Sequence, residues 1–192
     1  MSVVIIDYGA GNIQSIKFAL ERLGTTAVLT NDANVIREAA HVIFPGVGEA
    51  STAMEKLISS GLDTLIPTLT QPVLGICLGM QLMCNRTAEG NTKGLGIFDT
   101  DVVRFDTNLN VPHMGWNTVE GAGVLFGGIP QNSHFYLVHS YYAKSNGNTV
   151  GSCTYGIPFA AALAKNNFYG TQFHPEKSGE MGAQLLKNFL SI

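Results

Sequence analysis

The chain has 192 residues, of which 45% are hydrophobic and 13% charged, and its formal net charge is −3. This length and composition are typical of one globular domain with a buried core, and they exclude a largely disordered chain. Acidic and basic residues are scattered and form no basic run, which argues against a nucleic-acid partner. We therefore expect a single domain over residues 1–192.

The N-terminal sequence and the cysteines indicate a cytoplasmic protein. Residues 1–7 have no basic region and reach Asp7 at once, so we interpret them as a first strand rather than a signal peptide. No apolar stretch approaches the ~20 residues of a membrane span. The three cysteines, Cys77, Cys84 and Cys153, have no metal-binding spacing, and their odd number favours free thiols in a reducing compartment.

The first half of the chain alternates strands and helices. Short apolar runs predict strands at residues 3–6, 27–29, 42–44 and 72–76. A first helix carries Ile13, Ile16, Leu20 and Leu23 on one face and ends at Gly24, a second is capped by Ser51, and a third begins within residues 80–84. This alternation is typical of an α/β fold with a parallel sheet.

From about residue 95 the pattern changes to short strands separated by polar turns. Strands are predicted at residues 102–105, 117–119, 135–138, 149–153, 160–164 and 168–173, and a terminal helix is capped by Ser178. The predicted fold is α/β and flavodoxin-like: an open, mostly parallel sheet with helices on both faces and an antiparallel extension in the second half.

The turn after the first strand contains Gly9-Ala10-Gly11, which invites comparison with a dinucleotide-binding loop. The third glycine of that fingerprint would fall at position 14, where the chain has Gln14. We interpret the segment as a tight strand-to-helix turn and predict no cofactor.

A glycine-flanked cysteine is the central feature of the sequence. Cys77 stands between the strand at 72–76 and a helix, with Gly75 and Gly79 two residues to either side. This spacing is typical of a nucleophile elbow, in which glycines relieve clashes at a sharp turn and the nucleophile projects from the sheet edge. The pattern predicts attack on a carbonyl carbon by a thiol.

A histidine and a glutamate further along the chain provide a base and its orienting group. His174 follows a predicted strand, at the same edge of a parallel sheet as Cys77, and Glu176 can accept the second imidazole N–H. His41 precedes a strand and is not expected near the elbow. Cys84 and Cys153 have no such neighbours, so we predict that they are packed thiols.

An oxyanion formed by attack on a carbonyl needs two N–H donors. One is the backbone N–H of Leu78, which follows the nucleophile. The other is expected from the glycine-rich loop of residues 45–48, although from sequence alone that loop could equally be a flexible connection.

Three sequence blocks together resemble the class I (triad) glutamine amidotransferases. They are Pro45-Gly46-Val47-Gly48, Gly75-Ile76-Cys77-Leu78-Gly79-Met80-Gln81 and His174-Pro175-Glu176, and they follow the family order. The resemblance implies hydrolysis of glutamine to glutamate and ammonia through a cysteinyl thioester. Residues 7–12, 112–117, 138–142 and 177–178 are further similar to the glutaminase subunits of imidazole glycerol phosphate synthase.

The resemblance also implies a partner and a pathway. Such subunits form a heterodimer with a (β/α)8-barrel cyclase and pass ammonia to it in histidine biosynthesis, without a cofactor or metal. The cyclase products are imidazole glycerol phosphate and aminoimidazole carboxamide ribonucleotide. We expect low activity alone and higher activity with the cyclase and its nucleotide, with the loop at residues 45–48 as the switch. No fused synthase domain is expected.

Residue roles carried over from the family complete the expectations. The expected catalytic residues are Cys77, His174 and Glu176, and the expected oxyanion-hole residues are Gly46, Val47 and Leu78. The expected substrate-binding residues are Gly48, Gln81, Glu89, Ser140 and Tyr141. The expected cyclase-facing residues are Asn12, Trp116 and Lys177.

Two alternatives stay open at this stage. One is another enzyme with the same elbow, such as the glutaminase of pyridoxal phosphate synthase or a free-standing hydrolase, against which the segments at 7–12 and 112–117 argue. The other is a non-catalytic regulatory binding module, which the intact set of Cys77, His174 and Glu176 disfavours.

Overall fold

The structure is a computed structural model that describes residues 2–9 and 11–192. Met1 of the predicted first strand and Ala10 of the predicted Gly9–Gly11 turn lie outside the described residues. The strands are β1 (Val3–Ile6), β2 (Ala27–Thr30), β3 (His41–Phe44), β4 (Val73–Ile76), β5 (Cys84–Thr87), β6 (Thr92–Lys93), β7 (Phe98–Arg104), β8 (His113–Gly121), β9 (Ser133–His139), β10 (Tyr141–Ala143), β11 (Thr149–Tyr155), β12 (Ile157–Lys165) and β13 (Phe168–Thr171). The helices are α1 (Ile13–Arg22), α2 (Ala33–Glu38), α3 (Ala50–Ser59), α4 (Leu62–Leu65), α5 (Leu78–Leu82) and α6 (Gly179–Phe189).

Five parallel strands form the centre of the fold in the order β2-β1-β3-β4-β13. Because they run in one direction, their carboxyl ends meet at one edge of the sheet, where ligands bind in open α/β sheets. The segments that follow β1, β3, β4 and β13 therefore converge at that edge, and they contain Tyr8, Pro45, Cys77 and His174.

The second half of the chain extends this sheet with antiparallel strands. β12 pairs antiparallel with β13, and β10, β7, β5 and β6 continue outward from it. β11 also pairs with β12 and leads through β8 to β9. The predicted α/β fold, with a parallel sheet and an antiparallel extension, is confirmed.

Helices cover both faces of β1, which explains why this strand is apolar throughout. Val4 and Ile6 of β1 pack in one cluster with residues of α2, α3 and α4. Val3 and Ile5 pack on the other face with residues of α1 and α6. Successive side chains of a strand point to opposite faces of the sheet. A strand that is buried on both faces is therefore apolar at every position and does not alternate between apolar and polar residues.

Several local predictions need correction. The short elements α2, α4, β5, β6 and β10 were not predicted, and Cys84 begins β5 instead of continuing a helix. The side chain that caps α3 belongs to Glu49, which accepts from the Ser51 and Thr52 N–H groups, so the prediction that Ser51 is the cap is wrong. A carboxylate one residue before the helix accepts both amide hydrogens that a serine within the first turn cannot reach.

The longest helix in the described part of the chain is α6, with 11 residues. None of the helices described has the length and hydrophobicity that a membrane span requires.

Candidate active site

Cys77 lies at a strained turn between β4 and α5. Its backbone has φ 54° and ψ −112°, in the positive-φ region that residues with side chains rarely adopt, at a cost of ~1–3 kcal/mol. The turn is held by the Cys77 N–H, which donates to the Thr171 carbonyl at 2.7 Å. Hydrogen bonding to β13 thus keeps the thiol in place against this strain.

The flanking glycines are required by packing. A Cβ atom on Gly75 would lie 2.6 Å from Met83 Sδ and 2.9 Å from Met80 N, and one on Gly79 would overlap the Phe44 carbonyl oxygen. Because Phe44 is the last residue of β3, the start of α5 packs directly against the beginning of the next loop. The glycine pattern seen in the sequence therefore has the steric origin expected of an elbow.

His174 and Glu176 form a buried pair beside Cys77. His174 Nδ1 donates to Glu176 Oε1 at 2.8 Å, and both side chains are almost wholly buried. Burial acts to lower the pKa of His174, but the neighbouring Cys77 thiol and the Glu176 carboxylate outweigh it and raise that pKa to about 10. The raised pKa favours the charged form of the imidazole at neutral pH, with the Glu176 carboxylate against Nδ1.

The second imidazole nitrogen is available for chemistry. His174 Nε2 is buried and has no hydrogen-bond partner among the described residues. Catalytic hydrogen bonds are often long in the absence of substrate and shorten when it binds. His174 and Cys77 line the same cavity, so this nitrogen can exchange a proton with the sulfur or with a bound molecule.

The turn that carries the pair is fastened to β9. The His174 N–H donates to the Tyr136 carbonyl at 2.9 Å, while the Ser178 hydroxyl accepts from the Tyr136 N–H at 3.0 Å and donates to the His174 carbonyl at 2.6 Å. Ser178 stands at the N-cap position of α6, but its side chain makes no capping bond. The prediction that it caps the helix is wrong, because its hydroxyl is used to join the turn to β9.

A cavity of about 290 Å³ opens over the cysteine. Most of the predicted site residues line it: Val47, Gly48, Cys77, Leu78, Gln81, Glu89, Ser140, Tyr141 and His174. Sequence reasoning missed three further lining residues, Pro112, Val138 and His139. Gly46 and Glu176 do not line the cavity. Gly46 is hydrogen-bonded to Leu78, and Glu176 is hydrogen-bonded to Nδ1 of His174.

The loop after β3 closes one side of this cavity in a specific conformation. The Leu78 N–H donates to the Gly46 carbonyl oxygen at 3.3 Å. The Tyr8 hydroxyl, buried at the end of β1, donates to the Pro45 carbonyl at 2.7 Å and anchors the base of the loop. The Leu78 N–H, which is the first expected oxyanion donor, is therefore occupied by the loop in this state.

Glu89 lies at the rim of the cavity. Its Oε2 accepts the Ala50 N–H at 3.0 Å, and burial, together with the nearby Glu49 carboxylate, raises its pKa despite that hydrogen bond. A carboxylate here is placed to interact with a cationic group of a bound ligand.

The predicted interface residues lie outside the cavity. Trp116 on β8 is 56% exposed and contacts the edge of the Tyr136 ring. The exposed Lys177 places its Nζ 6.0 Å from the centroid of that same ring. Asn12 stands before α1, half-buried, and makes no capping hydrogen bond. Tyr136 thus joins an exposed aromatic and cationic surface to the turn that carries His174.

The other nucleophiles and metal ligands of the chain do not form a second site of this kind. Cys84 and Cys153 are buried free thiols, and burial raises the pKa of Cys153 to about 12. His41 is buried against Phe189, away from the elbow. Within residues 2–9 and 11–192, no three His, Cys, Asp or Glu side chains are grouped so as to hold a metal ion.

Comparison with known proteins decides the family of this site. A sequence model of the class-I glutamine amidotransferases matches residues 4–192. The chain belongs to the class-I glutamine amidotransferase family. The solved structure of another glutamine amidotransferase superposes with a TM-score of 0.77 at 18% identity, covering 98% of this chain and 97% of that one, which supports the fold.

Two similar proteins of this family carry the same name. The protein named imidazole glycerol phosphate synthase subunit HisH from Bacteroides fragilis strain YCH46 is 55% identical over the full length of both chains. The protein of the same name from Haemophilus influenzae is 51% identical and covers 99% of this chain and 97% of its own.

Proposed function

We propose that this chain is the glutaminase subunit of imidazole glycerol phosphate synthase. It hydrolyses L-glutamine to L-glutamate and ammonia and passes the ammonia to a cyclase subunit in histidine biosynthesis. The observation that carries the proposal is the convergence of Cys77 with the buried His174–Glu176 pair at one cavity, in a chain about half identical to HisH proteins over its whole length. Its free thiols fit a cytoplasmic location.

In the first half-reaction, the Cys77 sulfur attacks the side-chain amide carbon of glutamine. The carbon–sulfur bond forms, the carbonyl becomes an oxyanion, and the protonated His174 then gives its Nε2 proton to the leaving nitrogen as the carbon–nitrogen bond breaks. Ammonia leaves and a glutamyl thioester remains. Glu176 holds the ring by its Nδ1–H and stabilises the imidazolium between these steps.

In the second half-reaction, water attacks the thioester. His174 accepts a proton from that water, the carbon–sulfur bond breaks, and glutamate leaves as the imidazolium–thiolate pair is restored. Glu89 at one rim and the Ser140–Tyr141 wall at the other would bind the α-amino and α-carboxyl groups of the substrate. Gln81 borders the same cavity, and both hydrogens of its amide are used within the protein.

The oxyanion requires a change in the loop of residues 45–48. Rotation of the Gly46–Val47 peptide would withdraw the Gly46 carbonyl from Leu78 and present the Val47 N–H in its place. The existing bond joins two neutral groups and contributes about 0.5–1.5 kcal/mol, whereas one donor to an oxyanion is worth about 2.7–4 kcal/mol. We propose that the cyclase and its nucleotide favour the rotated state, so that ammonia is released only when an acceptor is ready.

The cyclase would dock on the surface formed by Trp116, Lys177 and Asn12, giving a heterodimer. An exposed tryptophan beside a cation is the composition typical of an interface anchor. Through Tyr136, this surface is connected by hydrogen bonds to the turn that carries His174.

The test is a glutaminase assay of the chain alone, with the cyclase, and with the cyclase and its nucleotide. We expect activity to rise across the three, and equal turnover in all of them would refute control by the partner. Cys77→Ala should abolish glutamine-dependent synthesis yet leave synthesis from ammonium salts intact. Cys153→Ala, which alters a buried thiol outside the cavity, is the matched control and should retain both activities. An active Cys77→Ala variant would refute the thioester mechanism.

A further inference from the structure

A glutamine side chain other than that of Gln81 reaches the sulfur of Cys77. Gln172 is completely buried, and its Nε2 lies 3.7 Å from Cys77 Sγ, within the longer range of hydrogen bonds to sulfur. On its other side, Gln172 Oε1 accepts from Gln81 Nε2 at 2.8 Å. The amide therefore stands between a donor and the reacting atom, with its N–H directed at the sulfur.

The orientation of that amide is fixed by groups further away. Gln81 Nε2 also donates to the Tyr141 carbonyl at 2.9 Å, so both of its hydrogens face acceptors. An amide nitrogen has no acceptor capacity, and a carbonyl has no hydrogen to give. Gln172 must then present its oxygen to Gln81 and its nitrogen to Cys77.

A histidine pair extends the same chain of hydrogen bonds. His139 Nδ1 lies 2.8 Å from the Tyr141 carbonyl, so it must carry the proton, which leaves its Nε2 to accept from His113 Nδ1 at 3.0 Å. His113 Nε2 in turn accepts from Asn117 Nδ2 at 3.2 Å. Each donor and acceptor is assigned by its neighbour, and burial keeps both rings neutral by lowering their pKa values.

We propose that Gln172 is a further catalytic residue, whose amide N–H stabilises the Cys77 thiolate and holds the sulfur in position. Gln81 is a positioning residue that fixes the direction of this amide, and His139, itself bonded to His113, shares the Tyr141 carbonyl that orients Gln81. The proposal rests on the proposed role of Cys77 as the nucleophile. The Val138 carbonyl lies 4.0 Å from the sulfur and can accept only from the protonated thiol, whereas the Gln172 N–H favours the anion in addition to the His174 imidazolium.

The expected size of the effect follows from the type of hydrogen bond. A hydrogen bond to a charged group typically changes an equilibrium constant by about tenfold or more, and tenfold corresponds to one pH unit. Loss of the Gln172 donor should therefore move the midpoint of the pH profile of thiolate formation upward by about one unit or more. A purely structural role for a buried amide would lower stability without moving this profile.

The test measures alkylation of Cys77 by iodoacetamide as a function of pH in the full chain, followed on the Cys77 peptide by mass spectrometry. Gln172→Met keeps the length of the side chain and removes the donor. We expect its profile to move upward by about one unit or more, with the same maximal rate at high pH. The control Gln71→Leu removes a partly buried amide that donates to the Ile36 carbonyl at the opposite end of β4 from Cys77, and should not move the profile. An unmoved Gln172→Met profile overturns the proposal.

A measurement on the unaltered protein covers the case in which the variant does not fold. The side-chain amide resonance of Gln172, followed by nitrogen-15 NMR, should shift with the same midpoint as Cys77 alkylation and lose this dependence once Cys77 is alkylated. A pH-independent resonance would overturn the proposal. If the profiles shift as expected while no glutamine is hydrolysed with cyclase and nucleotide present, the proposed function fails and the role of Gln172 at the sulfur stands.

Discussion

The Leu78 N–H donates to the Gly46 carbonyl oxygen at 3.3 Å, so the first donor for an oxyanion is occupied by the loop that should supply the second. This relationship gives a structural reason for the low activity that we propose for the isolated chain. It also identifies a single peptide unit, Gly46–Val47, whose orientation decides whether the site can stabilise negative charge.

The Val47 N–H can be tested as the second donor by replacing it with proline, which has no N–H. We expect Val47→Pro to lower kcat in the cyclase complex about 10²–10³-fold, the effect of removing one oxyanion donor. Val47→Ala keeps the N–H and loses only the half-exposed side chain, so it should stay near wild type in the same steady-state assay. Equal activity of the two variants would exclude this N–H from catalysis.

Glu176 should matter through its charge as well as its hydrogen bond. Glu176→Gln retains a group near His174 Nδ1 but removes the carboxylate that raises the pKa of His174 and fixes its tautomer. Loss of the corresponding charge in a serine protease triad costs about 10⁴-fold, and we expect a loss of about 10²–10⁴-fold in kcat. Single-turnover measurement of thioester formation is the readout. Glu180→Gln, an exposed acid in the first turn of α6, serves as the control.

Trp116 should anchor the partner. Truncation of an exposed aromatic at the centre of an interface typically costs 2 kcal/mol or more, about 30-fold in Kd. We expect Trp116→Ala to weaken cyclase binding by at least this factor in calorimetry, with the fold unchanged. Ile58→Ala removes an equally exposed apolar side chain near the end of α3 and should leave Kd as it is. If the two variants bind alike, the interface lies elsewhere.

The buried histidine pair should make the fold sensitive to acid. Burial lowers the pKa of His113 to about 4 and of His139 to about 3, below the value of about 6.5 in an unfolded chain. Their stabilising contribution is complete above pH 6.5 and is lost as the pH falls toward 4 and below, because the unfolded state then binds more protons. His174, with its raised pKa, is protonated in the folded state throughout, so near pH 6.5 it adds a slope of opposite sign, which vanishes at lower pH once the unfolded state is protonated too.

Urea unfolding between pH 6.5 and 4 measures this effect. Replacement of His139 by Gln should reduce the slope of the unfolding free energy against pH by up to about 1.4 kcal/mol per pH unit, the value for one proton. His134→Gln changes an exposed histidine on the same strand and should leave the slope unaltered. An unchanged slope in the His139 variant would mean that the pair is already protonated in the folded state.

The parallel half of the fold could be predicted because its strands are apolar on both faces and its turns carry glycine. The predictions failed where elements are short and polar. α2 has only six residues and one buried side chain, Ile36, so no periodicity marks it, although Asp32 caps it and gave a usable signal. Cys84 follows an apolar run that resembles a helix, and only pairing with β7 makes it a strand residue.

The site was predictable to the extent that its residues follow strand ends. Cys77 and His174 stand at the carboxyl ends of neighbouring parallel strands, which a topology argument can place at one edge. The sequence also gives an indication that Gln172 belongs to the site. It stands two residues before His174, and residues two apart on an extended chain share a face. Nothing in the sequence indicates that the Leu78 N–H is occupied, because residue types do not reveal the direction of a peptide plane in a glycine-rich loop.

The tight packing of the elbow against β3 limits how the loop can respond to a partner. A Cβ atom on Gly46 would lie 2.5 Å from Gly79 N, and the Tyr8 hydroxyl holds Pro45 from the other side. The base of the loop is thus clamped between two elements of the core, and a large displacement would have to break both contacts. Resting and active states would then differ by one peptide rotation within a common core. A partner that interacts differently with the two orientations by about 5.5 kcal/mol suffices to invert a 99:1 population, so the complex can turn the enzyme on without refolding it.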